Sequence, residues 1–419
     1  MKVFTYGNVL NNAYNVTRFL RARGIDAEMF LDDSAPTGQN YPWWEHRDLS
    51  PENLPSWIHY HRVTATDILL QREPFKQMAR DFSACDIALV CHWGPILAQA
   101  AGVPTLFFSY GGDVAVAHTS RELREAARRV AHLNKPGIRD IMMGLRQRRA
   151  LKEHVSRVGI LMGYQIDNYV RPMGLVPKMV KLRLAWDIEA YEPNPQQALV
   201  DKYAEFDVVY FMLTRHSWTS VWNDIKGNDK FIRAFARLVR EKRANVRLVC
   251  IEKGPDVAAS KQLIRSLGIE SAVEWVGEMT KDSMRAYYSL PNVVVADQFW
   301  HDDWQKRFPA DTPVPRIGFG SGSIEALSAK RPLITVFFEH EFYEGAEPPI
   351  LRAFREDEIF ERLIESIEMG PDGRRELGER GHAFVMKYHD WRVTIDMYIR
   401  QLEEIHARKP LPPQVGSHI

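Results

Sequence analysis

Two cations and a glycine-rich turn carry the densest chemistry in this sequence. Arg215 follows an apolar run that ends at Met212, and Lys226-Gly-Asn-Asp-Lys precedes a helical pattern. A guanidinium fork and an ammonium together neutralise a diphosphate, and such a pair stabilises it as a leaving group. Further along stands Gly318-Phe-Gly320-Ser-Gly-Ser323-Ile-Glu325-Ala-Leu-Ser-Ala-Lys-Arg-Pro332. Small residues let backbone amides crowd a ligand, and the helix that follows turns its amino-terminal dipole toward an anion. Gly320, Ser321, Gly322 and Ser323 are therefore candidates for a pyrophosphate. Glu325, one turn into the helix, is placed to accept from two adjacent hydroxyls such as those of a ribose. A plain loop-to-helix turn with a capping serine and an exposed glutamate would read the same way locally.

The elements that must position these residues alternate between strand and helix. Residues 2–6 read as a strand, 12–23 as a helix stopped by Gly24, and 26–31 as a second strand, with further strands at 87–90 and 105–108. Residues 120–169 read as helical and basic, and prolines 172, 177, 193 and 195 punctuate an irregular stretch. The alternation then restarts with strands at 207–212, 246–251, 273–276, 293–296 and 333–337 and helices between them. This pattern predicts an α/β fold of two Rossmann-like, doubly wound domains facing across a cleft. The expected boundaries are 1–192, 193–385, and a terminal helical segment, 386–419, packing back toward the N-terminal domain.

Bulk properties narrow the function classes. With 55 Lys and Arg against 54 Asp and Glu in 419 residues, the net charge of +1 gives no bias toward polyanions. Cys85, Cys91 and Cys250 follow neither a disulfide nor a CxxC spacing, which fits a reducing compartment. Met1 leads directly into the first strand, and no apolar run approaches the ~20 residues that span a bilayer. A cytoplasmic protein is expected, at most peripheral at the inner membrane face. For that contact, the basic region 121–157, with Ile138, Ile141, Met142, Met143 and Leu145 among its arginines, offers a surface for anionic lipid. It reads equally as a solvated helical face, and no nucleic-acid motif accompanies it. Trp43, Trp44, Trp57 and Tyr60 fall in an irregular stretch, where rings stack on sugars or pin a loop to the core.

The C-terminal half resembles the retaining glycosyltransferases of family four, which have the GT-B architecture. Arg215 and Lys226-Gly227 are similar to that family's arginine and lysine-glycine pair on the donor diphosphate, here separated by residues 216–225. Residues 273–279, Val-Glu-Trp-Val-Gly-Glu-Met, resemble the strand and loop on which the nucleotide base rests, which makes Met279 a binding candidate. Residues 325–332 match the C-terminal signature, with Glu325 in the ribose-binding place. Ile317 stands where the family has a glutamate near the transferred sugar, so sugar recognition shifts to the amides of 319–322 or to Asp297 and Gln298. On the N-terminal side, Gly7 and Asn8 occupy the turn that in the family lies close to the diphosphate. Ser109-Tyr-Gly-Gly-Asp113 resembles its glycine-aspartate turn. Asp113 and His92 are the catalytic candidates on the acceptor side, beside Arg215 and Lys226 on the donor side.

The resemblance implies transfer of a sugar from a UDP- or GDP-linked donor to a glycan or lipid-linked acceptor, in surface polysaccharide or glycoconjugate synthesis. It implies no cofactor and no metal, and His301-Asp-Asp303 reads as a polar loop. Two other readings share the architecture: a sugar-nucleotide epimerase and a non-catalytic sugar-nucleotide-binding protein.

Overall fold

Strands buried on both faces need continuous apolar runs, and those runs build two sheets. The computed structural model describes residues 1–34, 40–46, 48–110, 135–219, 226–242, 244–300, 302–303 and 316–408. The first sheet holds β1 (Lys2–Tyr6), β2 (Asp26–Asp32), β3 (Ile58–His61), β4 (Ile87–Val90), β5 (Thr105–Phe108), β6 (Arg157–Ile160) and β7 (Met179–Lys181). Its order is β3-β2-β1-β4-β5-β6-β7. The second holds β8 (Val208–Met212), β9 (Val246–Ile251), β10 (Val273–Val276), β11 (Val293–Ala296), β12 (Leu333–Thr335) and β13 (Leu351–Arg352). Its order is β10-β9-β8-β11-β12-β13. Neighbouring strands are parallel throughout both sheets.

The chain divides into two compact units. Unit 1 comprises 1–161, 169–182 and 394–419, and unit 2 comprises 162–168 and 183–393. This differs from the expected boundary at 192/193. Residues 183–192 are apolar enough to join the second core: Ile188 is fully buried and Tyr191 nearly so. The strands not foreseen, β3, β6, β7 and β13, are short or lie at sheet edges, where one-sided burial leaves no continuous apolar run to read. In particular, β6 lies inside a stretch expected to be helical throughout.

In unit 1, α1 (Asn12–Ala22), α2 (Ala65–Leu70), α3 (Glu73–Phe82), α4 (Gly94–Ala101) and α5 (Lys135–Glu153) accompany the sheet. Unit 2 carries α6 (Gln197–Tyr203), α7 (Asn228–Lys242), α8 (Val257–Ser266), α9 (Lys281–Tyr288), α10 (Ser321–Ser328), α11 (Glu356–Glu368) and α12 (Gly370–Tyr388). α7 shows why these segments are helical: Phe231, Ile232, Phe235 and Leu238 recur on one face and are fully buried beneath β8 and β9 residues. The last helix, α13 (Trp391–Ala407), starts in unit 2 and continues into unit 1, where Tyr398 packs 5.0 Å from Phe108 between ring centres.

α10, which heads the glycine-rich turn, is held from behind by α12. Gly378 and Gly381 of α12 face it, and a side chain at Gly378 would collide with the Lys330 carbonyl. Gly378→Ala should therefore cost about 1–3 kcal/mol through overpacking. The denaturation midpoint reads this directly, and a midpoint equal to that of the wild type would show that the two helices can separate freely.

Two buried histidines of unit 2 stay neutral. His389 bonds Tyr343 Oη at 2.9 Å and the Leu184 carbonyl at 3.0 Å, and His216 bonds Ser260 Oγ at 2.8 Å. Burial pulls both down to about 4. Because the unfolded chain takes up these protons first, their contribution is complete above pH ~6.5 and is lost as pH falls toward 4. Each histidine accounts for about 1.4 kcal/mol per pH unit in that window. Urea midpoints of unit 2 should thus fall steadily from pH 6.5 to 4.5; a flat profile would mean that the histidines accept protons in place.

Candidate functional site

Each sheet reverses its strand order once, between β1 and β4 in unit 1 and between β8 and β11 in unit 2. Open parallel sheets take ligands at the carboxyl ends of the strands flanking such a reversal. The described candidate residues cluster near those two points.

In unit 2, β8 runs into Leu213-Thr214-Arg215 and β11 into Asp297-Gln298. Gln298 is buried and joins the two cationic and glycine-rich elements. Lys226 Nζ donates to its Oε1 at 3.0 Å, and its Nε2 reaches the Gly318 carbonyl at 3.5 Å. Thr214 Oγ1 donates to the Asp297 carbonyl at 3.3 Å and accepts from Asn228 Nδ2 at the same distance. The Asp297 carboxylate accepts from Ser323 Oγ in the first turn of α10. Asp297 and Gln298, expected as sugar contacts, thus tie the walls of the site together. Lys226 itself is clamped by its backbone, its N–H on the Ser217 carbonyl at 2.6 Å and its carbonyl taken by Phe299 N–H at 2.8 Å. Gly227 makes that clamp possible: its φ is 66°, and a Cβ there would sit 2.7 Å from the Trp300 carbonyl oxygen. Arg215 is exposed, next to Thr214.

α10 begins at Gly320 with no side-chain cap, so the first-turn amides of Ser321, Gly322 and Ser323 have no helical acceptor. Gly322 lies against Leu213, at the end of β8, so closely that a Cβ would collide with it. Glu325 is not the exposed glutamate of an ordinary turn. It is 6% exposed, and its oxygens accept from Tyr191 Oη at 3.0 Å and Tyr288 Oη at 3.1 Å. A carboxylate has about four lone-pair sites, so it can accept from several donors at once. Ile317 is sealed into an apolar cluster with Trp300 and Val336. Met279 is half-buried in the turn between β10 and α9, two strands along from β8. Asp302, from the polar loop, pairs with Lys230 at 3.1 Å.

In unit 1, Gly7, Asn8 and His92 line one small cavity together with Tyr6, Asp32 and Ser34. Gly7 has φ of 90°, and a side chain would strike the Cys91 carbonyl at the end of β4. Asn8 serves its own loop: Nδ2 donates to Asn11 Oδ1 at 2.7 Å and to the Asn40 carbonyl at 2.8 Å, while Oδ1 accepts from Tyr14 N–H. Both amide hydrogens are therefore committed, so the expected donation to a ligand gives way to loop bracing. His92 is pulled down to about 4 by burial and is neutral at pH 7. Asp113, with the rest of 111–134, lies outside the described residues.

Sequence reasoning missed Asp32, Tyr191 and Tyr288. Asp32 accepts from Tyr6 Oη at 2.5 Å, and burial raises it to about 6. Its place at the carboxyl end of the strand beside β1 was the available signal. Tyr191, in a proline-rich stretch, gave none.

Comparison with known proteins adds to this geometry. Residues 222–381 match the family described as glycosyl transferases group 1. HepE of Anabaena, solved with UDP-glucose, superposes with a TM-score of 0.66 at 14% identity, over 96% of this chain and all of that one. A glycosyltransferase of Rickettsia africae gives 0.65 at 13% identity over 98% and 99% of the two chains. Sucrose-phosphate synthase of Thermosynechococcus elongatus gives 0.62 at 14% identity over 97% and 100%. No curated protein matches the sequence. Residues 222–381 are thus similar to the glycosyl transferases group 1 family, and the chain has the GT-B fold of these solved glycosyltransferases.

Proposed function

We propose that the chain is a retaining glycosyltransferase that moves a sugar from a UDP- or GDP-sugar to a glycan or lipid-linked acceptor, in the synthesis of a surface polysaccharide or glycoconjugate. The observation that carries this reading is the Gln298 bridge, which sets the Lys226 ammonium beside the glycine-rich turn at the strand-order reversal of unit 2. Lys226, Arg215 and the uncapped amides of α10 supply the charge and donors that a nucleoside diphosphate requires. The UDP-glucose in HepE supports a uridine nucleotide as the first candidate.

In the reaction, the bond from the anomeric carbon to the diphosphate breaks and a bond to the acceptor oxygen forms on the same face. The acceptor proton passes to the departing diphosphate oxygen. Lys226, Arg215 and the α10 amides stabilise the negative charge as it develops, and no protein nucleophile is assigned. Glu325 accepts from the ribose hydroxyls, and Met279 packs against the base. With Ile317 apolar and enclosed, the sugar is recognised through the turn amides. His92, uncharged and near the carboxyl end of β4, serves the acceptor side, with Asp113 as its partner in that role.

A lipid-linked acceptor is supported by α5, where Met142 and Leu145 are 44% and 47% exposed and share a helical face with Arg139 and Arg149. No helix among the described residues is long and apolar enough to cross a membrane. Met142→Glu with Leu145→Glu should abolish sedimentation with vesicles containing phosphatidylglycerol and leave sugar-nucleotide hydrolysis intact; undiminished sedimentation would remove the membrane contact.

Incubation with a panel of UDP- and GDP-sugars without acceptor tests the reaction. Slow release of free nucleotide is expected. Interconversion of the sugar would instead indicate an epimerase, and tight binding without turnover a non-catalytic protein. Arg215→Ala and Lys226→Ala should each cost ~2–4 kcal/mol of transition-state stabilisation, roughly 30- to 1,000-fold in kcat/KM. Near-normal rates in both variants would remove the donor-site assignment.

A further inference from the structure

A second cavity, of about 440 Å³, opens elsewhere in unit 2. It lies at the amino edge of the sheet, away from the strand ends that carry Lys226 and Gln298: Val293 begins β11, and Pro332 directly precedes β12. Its size falls within the range of small-molecule pockets. Pro193, Pro195 and Pro332 stiffen its wall, and Arg331, Arg374 and Arg375 line it, the last of them exposed and paired with Asp372 at 2.9 Å.

Among the described residues neither Arg331 nor Arg374 forms an ion pair, and Glu379 and Asp207 act on them only through space. Arg374 is 6% exposed; its two terminal nitrogens bond only neutral carbonyls, of Ser366 at 2.9 Å and Asp207 at 3.2 Å, and its Nε is buried without a partner. Arg331 Nε is likewise buried and unbonded. Burial lowers the pKa of both guanidinium groups, yet arginine keeps its proton in proteins. Buried charge is costly unless paired, and two such groups on one cavity also repel each other. A guanidinium fork matches the paired oxygens of phosphate or carboxylate.

We propose that this cavity binds a small metabolite bearing a phosphate or carboxylate group, held by Arg331 and Arg374, and that its occupancy tunes the site on the other edge. The second part rests on Glu325 belonging to the donor site; the first does not. The cavity wall and the residues around Glu325 are built from the same segments. Pro193 lies two residues after Tyr191, Ser289 directly follows Tyr288, and Arg331 follows the helix that carries Glu325. Asn194 N–H donates to Ser289 Oγ at 2.8 Å, and Lys330 pairs with Glu192 at 3.5 Å, so the three segments are braced to one another. A ligand that draws them together shifts the two tyrosines that hold the Glu325 carboxylate.

Thermal unfolding with inorganic phosphate and, separately, citrate tests the binding and distinguishes the two oxyanion types. A saturable rise in Tm is expected with at least one of them. Arg331→Gln should weaken the apparent affinity at least tenfold, whereas Lys226→Ala, on the opposite edge, should leave it unchanged. A response absent from the wild type, or lost in Lys226→Ala and kept in Arg331→Gln, overturns the site. If Arg331→Gln fails to fold, Val200→Phe, which fills the cavity, carries the same comparison. For the coupling, a saturating oxyanion should change UDP affinity at least threefold more in the wild type than in Arg331→Gln. Equal changes in the two proteins would overturn the regulatory part and leave the binding site standing.

Discussion

A glutamine side chain can accept and donate at once, and Gln298 uses both capacities in a place where water is excluded. Its carbonyl takes the Lys226 ammonium and its amide nitrogen faces the Gly318 carbonyl. Its backbone is fixed by β12, since Val336 N–H donates to its carbonyl at 2.9 Å. The side chain therefore cannot wander, and the two groups it joins inherit the rigidity of the sheet. Leaving either half of such a buried amide unpaired costs about 1–3 kcal/mol. That cost is what keeps the Lys226 ammonium and the start of α10 aligned with each other, the kind of fixed arrangement that the proposed electrostatic catalysis would use.

The carboxylate of Glu325 is subject to a related constraint. Buried acids need donors, and here two tyrosines from distant parts of the chain provide them. The α10 helix cannot rotate to expose the glutamate without stranding both hydroxyls. Behind it, the glycines of α12 fix the helix at close range. The orientation of the glycine-rich turn is thus determined from three sides, by Gln298, by the tyrosine pair and by α12.

Much of this was legible in the sequence. β8 and β11 are continuous apolar runs and β9 is broken only by Arg247, and the residues just past β8 and β11 follow directly from locating those strands. The glycine-rich turn and Lys226-Gly227 carry their own composition signal. What could not be read is the long-range pairing: nothing local marks Tyr191 as a partner of Glu325, or Gln298 as the link to Lys226, because both depend on which strands become neighbours. Asn8 shows the converse. Its type and place suggested a ligand contact, while the structure commits its amide to Asn11 and Asn40. The edge strands were obscure because one-sided burial over two to four residues leaves too little pattern.

The most direct test is a crystal structure of the protein with UDP bound. The β-phosphate is predicted within hydrogen-bond distance of Lys226 Nζ and of the amides of Ser321 and Gly322, with the ribose hydroxyls against Glu325. Electron density for the nucleotide anywhere else on unit 2, with the Lys226–Gln298 bond undisturbed, would contradict the account.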